Sequence, residues 1–166
     1  MIILIFIILK DNIRMKKLLI LFIVIGTSMS SLYSQTKTIE GRLISEDFET
    51  LPQVSIMIND TVEVGRTDAN GFFLIDIPIT EKKIMFVFVG MESTSIELVD
   101  KCDRIEVVMM GIYNYDFMSL KRAERKRKKR YKKLSEIHKQ AFEKGIFETE
   151  YACYNREFES LYLEDN

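Results

Sequence analysis

Between Thr36 and Met110 apolar and polar residues alternate with a period of two, the spacing of strands that bury one face. Ile39, Gly41 and Leu43 share a face opposite Thr38, Glu40 and Arg42. Val54, Ile56 and Ile58 alternate with Ser55, Met57 and Asn59, and Phe73, Ile75 and Ile77 alternate with Phe72, Leu74 and Asp76. Ile84 to Val89 is apolar on both faces and predicts a central strand; Ile96 and Leu98, then Ile105, Val107 and Met109, finish the set. Turn signals fall between these runs. Leu51-Pro52 sets an extended entry, Thr67-Asp68-Ala69-Asn70-Gly71 predicts a tight hairpin capped by Asp68, and Gly90 ends the central strand. Six or seven short strands spaced in this way predict a mostly β chain, an antiparallel sandwich with its core around Val54, Phe73 and Phe86.

Beyond Met110 the period changes. Met118 to Lys144 holds no Gly or Pro and is rich in Lys, Arg, Glu, Leu and Ala, which predicts one long helix with Asp116 as N-cap and Gly145 just past its end. Its apolar stripe is Leu120, Ala123, Tyr131, Leu134, Ile137, Ala141 and Phe142. The gap between Ala123 and Tyr131 is filled by charge, so the first half reads as solvated nearly all round. The second half reads as docked on the strands through Leu134, Ile137 and Phe142. His138, the only histidine, reads as a packing or surface residue. After Gly145, Ile146, Phe147, Tyr151, Tyr154, Phe158, Leu161 and Tyr162 among glutamates predict an irregular acidic tail draped over the body, or else a partner-binding peptide.

The start of the chain has a different grammar. Met15-Lys16-Lys17 precedes the apolar run Leu18 to Ile25, then small and polar residues ending at Ser34-Gln35. A charged start, a short apolar core and a small-residue exit make a secretory signal peptide, and the run is too short to span a bilayer. Residues 1–34 are therefore expected to be the leader, with translation starting at Met15; the rival reading is a double-pass anchor. The organisation expected downstream is 35–110 for the strands, 111–145 for linker and helix, and 146–166 for the tail. Export places the protein in the periplasm or at the outer membrane. There a bridge between Cys102 and Cys153 would persist, and two unpaired thiols are the alternative.

Charge is distributed in blocks that the near-neutral total of −1 conceals. Residues 36–110 hold 7 basic and 14 acidic side chains, residues 119–145 hold 12 and 3, and residues 146–166 hold 1 and 6. The plainer reading of the basic block is a solvated helix complementing its own acidic body. The sharper one makes Arg125, Lys126, Lys128, Lys129, Lys132 and Lys133 a contact for phospholipid or lipopolysaccharide head groups, or for an acidic protein. Export argues against nucleic acid.

The runs Ile39-Glu40-Gly41-Arg42-Leu43-Ile44, Leu51-Pro52-Gln53-Val54-Ser55-Ile56, Gly65-Arg66-Thr67-Asp68-Ala69-Asn70-Gly71-Phe72-Phe73-Leu74-Ile75 and Phe88-Val89-Gly90-Met91-Glu92 resemble the carboxypeptidase regulatory-like domain family. The resemblance covers residues 36–110. It implies a transthyretin-like, seven-stranded β-sandwich of the kind exported by Gram-negative bacteria, also found at the N-terminus of TonB-dependent receptors. Met91 departs from the aromatic usual after the glycine, and its flexible side chain suits the same apolar gap. The family's domain is an accessory module, not a peptidase. With one His, the ligands of zinc carboxypeptidase chemistry are missing, and Asp68 and Asp76 are the only carboxylates near a turn worth weighing as catalytic. The expectation is a non-enzyme without metal or cofactor: an exported envelope module that binds or scaffolds a protein partner, or a peripheral protein on anionic lipid.

Overall fold

A computed structural model describes residues 35–100 and 102–161. The expected leader, its Met15 start and Tyr162 lie outside the described residues. The elements are β1 (Thr36–Ser45), β2 (Ser55–Ile58), β3 (Val62–Arg66), β4 (Phe72–Pro78), β5 (Lys83–Val87), β6 (Thr94–Leu98), β7 (Arg104–Met109), α1 (Leu120–Tyr131), α2 (Leu134–Glu143) and β8 (Tyr154–Asn155). They form a three-stranded sheet in the order β4-β1-β7 and a five-stranded sheet in the order β3-β2-β5-β6-β8.

Period-two burial marks most of these strands, while β7 is buried on both faces. Along β4, Phe73, Ile75 and Ile77 are buried while Phe72, Leu74 and Asp76 are exposed. The buried residues of both sheets enter one apolar cluster, which includes Ile39, Leu43, Val54, Ile56, Phe73, Ile84, Phe86, Ile96 and Ile105. Phe73 and Phe86 meet inside it with ring centroids 5.8 Å apart. Met91 packs against the cluster from its margin. β5 lies at the middle of its sheet, as its two-sided apolarity requires.

Two strand expectations are corrected. The sheets are not wholly antiparallel: β7 runs parallel to β1, with Leu43 opposite Val107. The chain reaches β7 from β6 of the other sheet rather than through a hairpin, so it enters beside β1 in the same direction. Nor does the Thr67–Gly71 turn make a hairpin. It carries the chain from β3 in one sheet to β4 in the other. Asp68 Oδ1 caps the turn by accepting from the Asn70 and Phe72 amides at 2.9 and 2.8 Å. Buried Thr67 donates its hydroxyl to the Leu51 carbonyl (2.6 Å) and accepts from the Val54 amide (2.9 Å). The Leu-Pro-x-Val and Thr-Asp-x-x-Gly stretches are thus one hydrogen-bonded unit.

The expected single helix is bent at Lys132–Lys133 into α1 and α2. Its N-cap is Ser119, not Asp116; the Asp116 carboxylate accepts from the Asn114 side chain instead. At the far end Gly145 takes φ +71°. The Ile146 amide then reaches the Ala141 carbonyl and the Gly145 amide that of Phe142, both at 2.9 Å, a Schellman ending. α2 docks on β7, as expected, with Leu134 and Ile137 among the packed residues but not Phe142. Ala141 and Phe147 are buried with Ile44 and Val108, flanked by Leu134 and Ile137, while Phe142 is 39% exposed. The tail is not irregular throughout, since β8 adds an eighth strand antiparallel to β6.

Candidate functional site

The basic helix does not stand free. Ala123, Glu124 and Arg127 are buried on its inner side, which corrects the expectation of a first half solvated nearly all round. The Arg127 side chain, 5% exposed, grips Glu92 with two hydrogen bonds of 2.9 Å, from Nε to Oε1 and from Nη2 to Oε2. Its Nη1 donates to Glu124 (3.1 Å) and to the Glu159 carbonyl (3.1 Å). Burial by itself would lower the Arg127 pKa; Glu92 and Glu124 outweigh it, so the guanidinium is held above its ordinary value. One turn on, Arg130 pairs with Glu46 and donates to the Gly111 carbonyl (2.9 Å) and the Tyr115 hydroxyl (3.3 Å). Its guanidinium stacks 3.9 Å from the Tyr113 ring centre. These two arginines fasten α1 to the loops at the ends of β1, β5 and β7.

With Arg127 and Arg130 turned inward, every exposed residue between 121 and 133 is a cation: Lys121, Arg122, Arg125, Lys126, Lys128, Lys129, Lys132 and Lys133. At 3.6 residues per turn, these eight cover an arc of roughly 160° along roughly 18 Å of helix. All six contact residues expected from the sequence lie on this face. None of the eight pairs with a carboxylate among the described residues. Lys128 has a neighbour of another kind, with its Nζ 5.8 Å from the Phe158 ring centre.

The tail closes the opposite side of α1. Cys102 and Cys153 form a disulfide with Cα atoms 5.9 Å apart. Tyr154 follows, partly buried against the core, and desolvation pushes its hydroxyl pKa up to about 12. Arg156 reaches between the sheets, donating to the Val108 carbonyl (3.0 Å) and to Thr94 Oγ1 (3.1 Å). Phe158 meets Tyr131 edge-on at 5.3 Å. A cavity of about 280 Å³ remains here, lined in part by Met91, Ser93, Tyr113, Tyr131 and Phe158.

Two further buried polar groups complete this layer: Glu106, which went unread in the sequence, and His138, expected as a packing or surface residue. Glu106 accepts from the Glu148 and Thr149 amides (2.8 and 2.9 Å) and from the Thr149 hydroxyl (2.7 Å), pinning the start of the tail. His138 is buried, with its ring 4.8 Å from that of Phe147. Its Nε2 donates to the Thr149 carbonyl at 3.1 Å, and its Nδ1 has no partner among the described residues. Burial pushes its pKa down, opposed by the Thr149 carbonyl and Glu106, so the ring is a neutral packing group. Among the described residues no group of three or more His, Cys, Asp or Glu is placed to hold a metal. No helix there is long and apolar enough to cross a membrane. No family model matches the sequence, and no curated protein matches it.

Proposed function

We propose that this chain is a non-catalytic, exported cell-envelope binding or scaffolding module of the carboxypeptidase regulatory-like type, a transthyretin-like β-sandwich with a docked helix. Its contact face is the outer side of α1, and its partner is an envelope protein with an acidic surface. The observation that carries this reading is the division of labour in the basic segment: Arg127 and Arg130 are consumed within the molecule, and eight cations are left outward, with no carboxylate partner among the described residues, on a helix fastened from behind. A rigid surface of one sign steers partners of the opposite sign. The disulfide supports an oxidising compartment, the periplasm or the outer membrane. Asp68, the carboxylate most open to a catalytic reading, is engaged in capping its turn. A photo-cross-linking residue at position 129, activated in intact cells, should capture one defined envelope protein. Capture of lipid alone, or of nothing, would count against a protein partner.

One observation favours a second reading, in which the same face lies on anionic lipid or lipopolysaccharide. Six of the eight outward cations are lysines and the best-placed arginines point inward. Protein interfaces are enriched in Arg and depleted of Lys, whereas lysine-rich surfaces bind anionic bilayers by charge alone at about 1 kcal/mol per residue. That reading predicts binding to phosphatidylglycerol vesicles that disappears as salt rises; equal binding to neutral vesicles would end it.

A further inference from the structure

We infer that the free edge of β6 is a strand-addition groove, occupied in this structure by the chain's own tail, and that the tail of a second copy takes its place once the Cys102–Cys153 bond is opened. The tail is seated as strand-adding peptides are, with alternate side chains in pockets. Tyr154, Arg156 and Phe158 turn inward, while Asn155, Glu157 and Glu159 are exposed. The groove has two walls. On one side β6 pairs with the tail, Leu98 opposite Tyr154 and Glu97 opposite Asn155. On the other, Tyr131 of α1 donates its hydroxyl to the Arg156 carbonyl and Arg127 donates to that of Glu159.

The occupant is held by little ladder and much side chain. β8 covers two of the five residues of β6, so the grip rests on three anchors and on the disulfide immediately before them. Upstream, Glu106 fixes residues 148 and 149 to the body. Only residues 150–152 separate that clamp from Cys153, and Tyr151 and Ala152 are exposed. A short hinge before a self-contained strand is the arrangement that exchanges between copies. The incoming segment is the same sequence, so its three anchors fit the same pockets.

The covalent step balances with added reagents. Dithiothreitol opens the bridge by two thiol–disulfide exchanges, leaving Cys102 and Cys153 as thiols and itself as a cyclic disulfide. Oxidised glutathione then takes two electrons from a Cys102 thiol and a Cys153 thiol, closing their bond and leaving as two reduced glutathiones.

The test mixes full-length unlabelled and ¹⁵N-labelled chains, reduces them together, reoxidises them over a range of concentrations, and reads the disulfide-linked peptides by mass spectrometry. Exchange predicts mixed-isotope Cys102–Cys153 peptides whose share rises with chain concentration. Single-isotope peptides at every concentration would overturn the inference. So would mixed-isotope Cys102–Cys102 and Cys153–Cys153 peptides in amounts comparable to Cys102–Cys153, because thiols joined by collision alone do not select a groove.

Discussion

Replacing Arg127 with Leu leaves the buried Glu92 and Glu124 carboxylates without the guanidinium that bridges them. Removing one member of a buried charge cluster costs about 3–5 kcal/mol, mostly because the remaining charges stay desolvated. We expect that loss in urea unfolding of the Arg127→Leu variant, whereas Lys128→Leu, on the outer face, should unfold at the wild-type midpoint. Gly41 makes a different kind of demand. A Cβ there would lie 1.8 Å from the Ile105 carbonyl oxygen and 2.8 Å from the Phe73 ring. Gly41→Ala should therefore push β1 and β7 apart and destabilise by about 3 kcal/mol, read as a lower thermal midpoint with an otherwise native spectrum.

At the scale of elements, the α2–tail layer carries a pH dependence through His138. His138 is neutral in the fold and its pKa is depressed by burial; in the unfolded chain it titrates near 6.5. The unfolded state thus binds more protons as pH falls below about 6.5, and stability present above that value is lost as pH drops through the folded pKa. The fall in thermal midpoint between pH 7.5 and 5.5 should shrink in a His138→Phe variant, and an unchanged fall would place the titrating group elsewhere. Most of the strands were legible in the sequence because their apolar residues alternate against a shared core, as in β4; β3 was not, since none of its residues is fully buried. The first half of the helix was not. Its inner stripe runs Ala123, Arg127, Arg130, Leu134, Ile137 and Ala141, a continuous spacing of four and three. Two of its members are arginines, so a search for apolar residues saw a gap. The spacing itself was the available signal. No comparable signal announced Glu92, Glu46 or Glu106 as partners, since their roles depend on which loops the sheets bring together. The tail hid its strand for a related reason: Tyr154, Arg156 and Phe158 alternate correctly, but an arginine stands where the pattern asks for an apolar side chain.

For the whole molecule, the basic block serves two ends at once. Its inner arginines join the helix to an acidic body and its outer cations face away from it, so fastening and binding are separable by mutation. The most direct measurement is co-sedimentation of the Lys128→Gln, Lys129→Gln, Lys132→Gln, Lys133→Gln variant with isolated cell envelopes at physiological salt, paired with its urea midpoint. The predicted result is loss of sedimentation with the midpoint unchanged. Sedimentation equal to that of the wild type, with half of the outward charge gone, would contradict the assignment of this face.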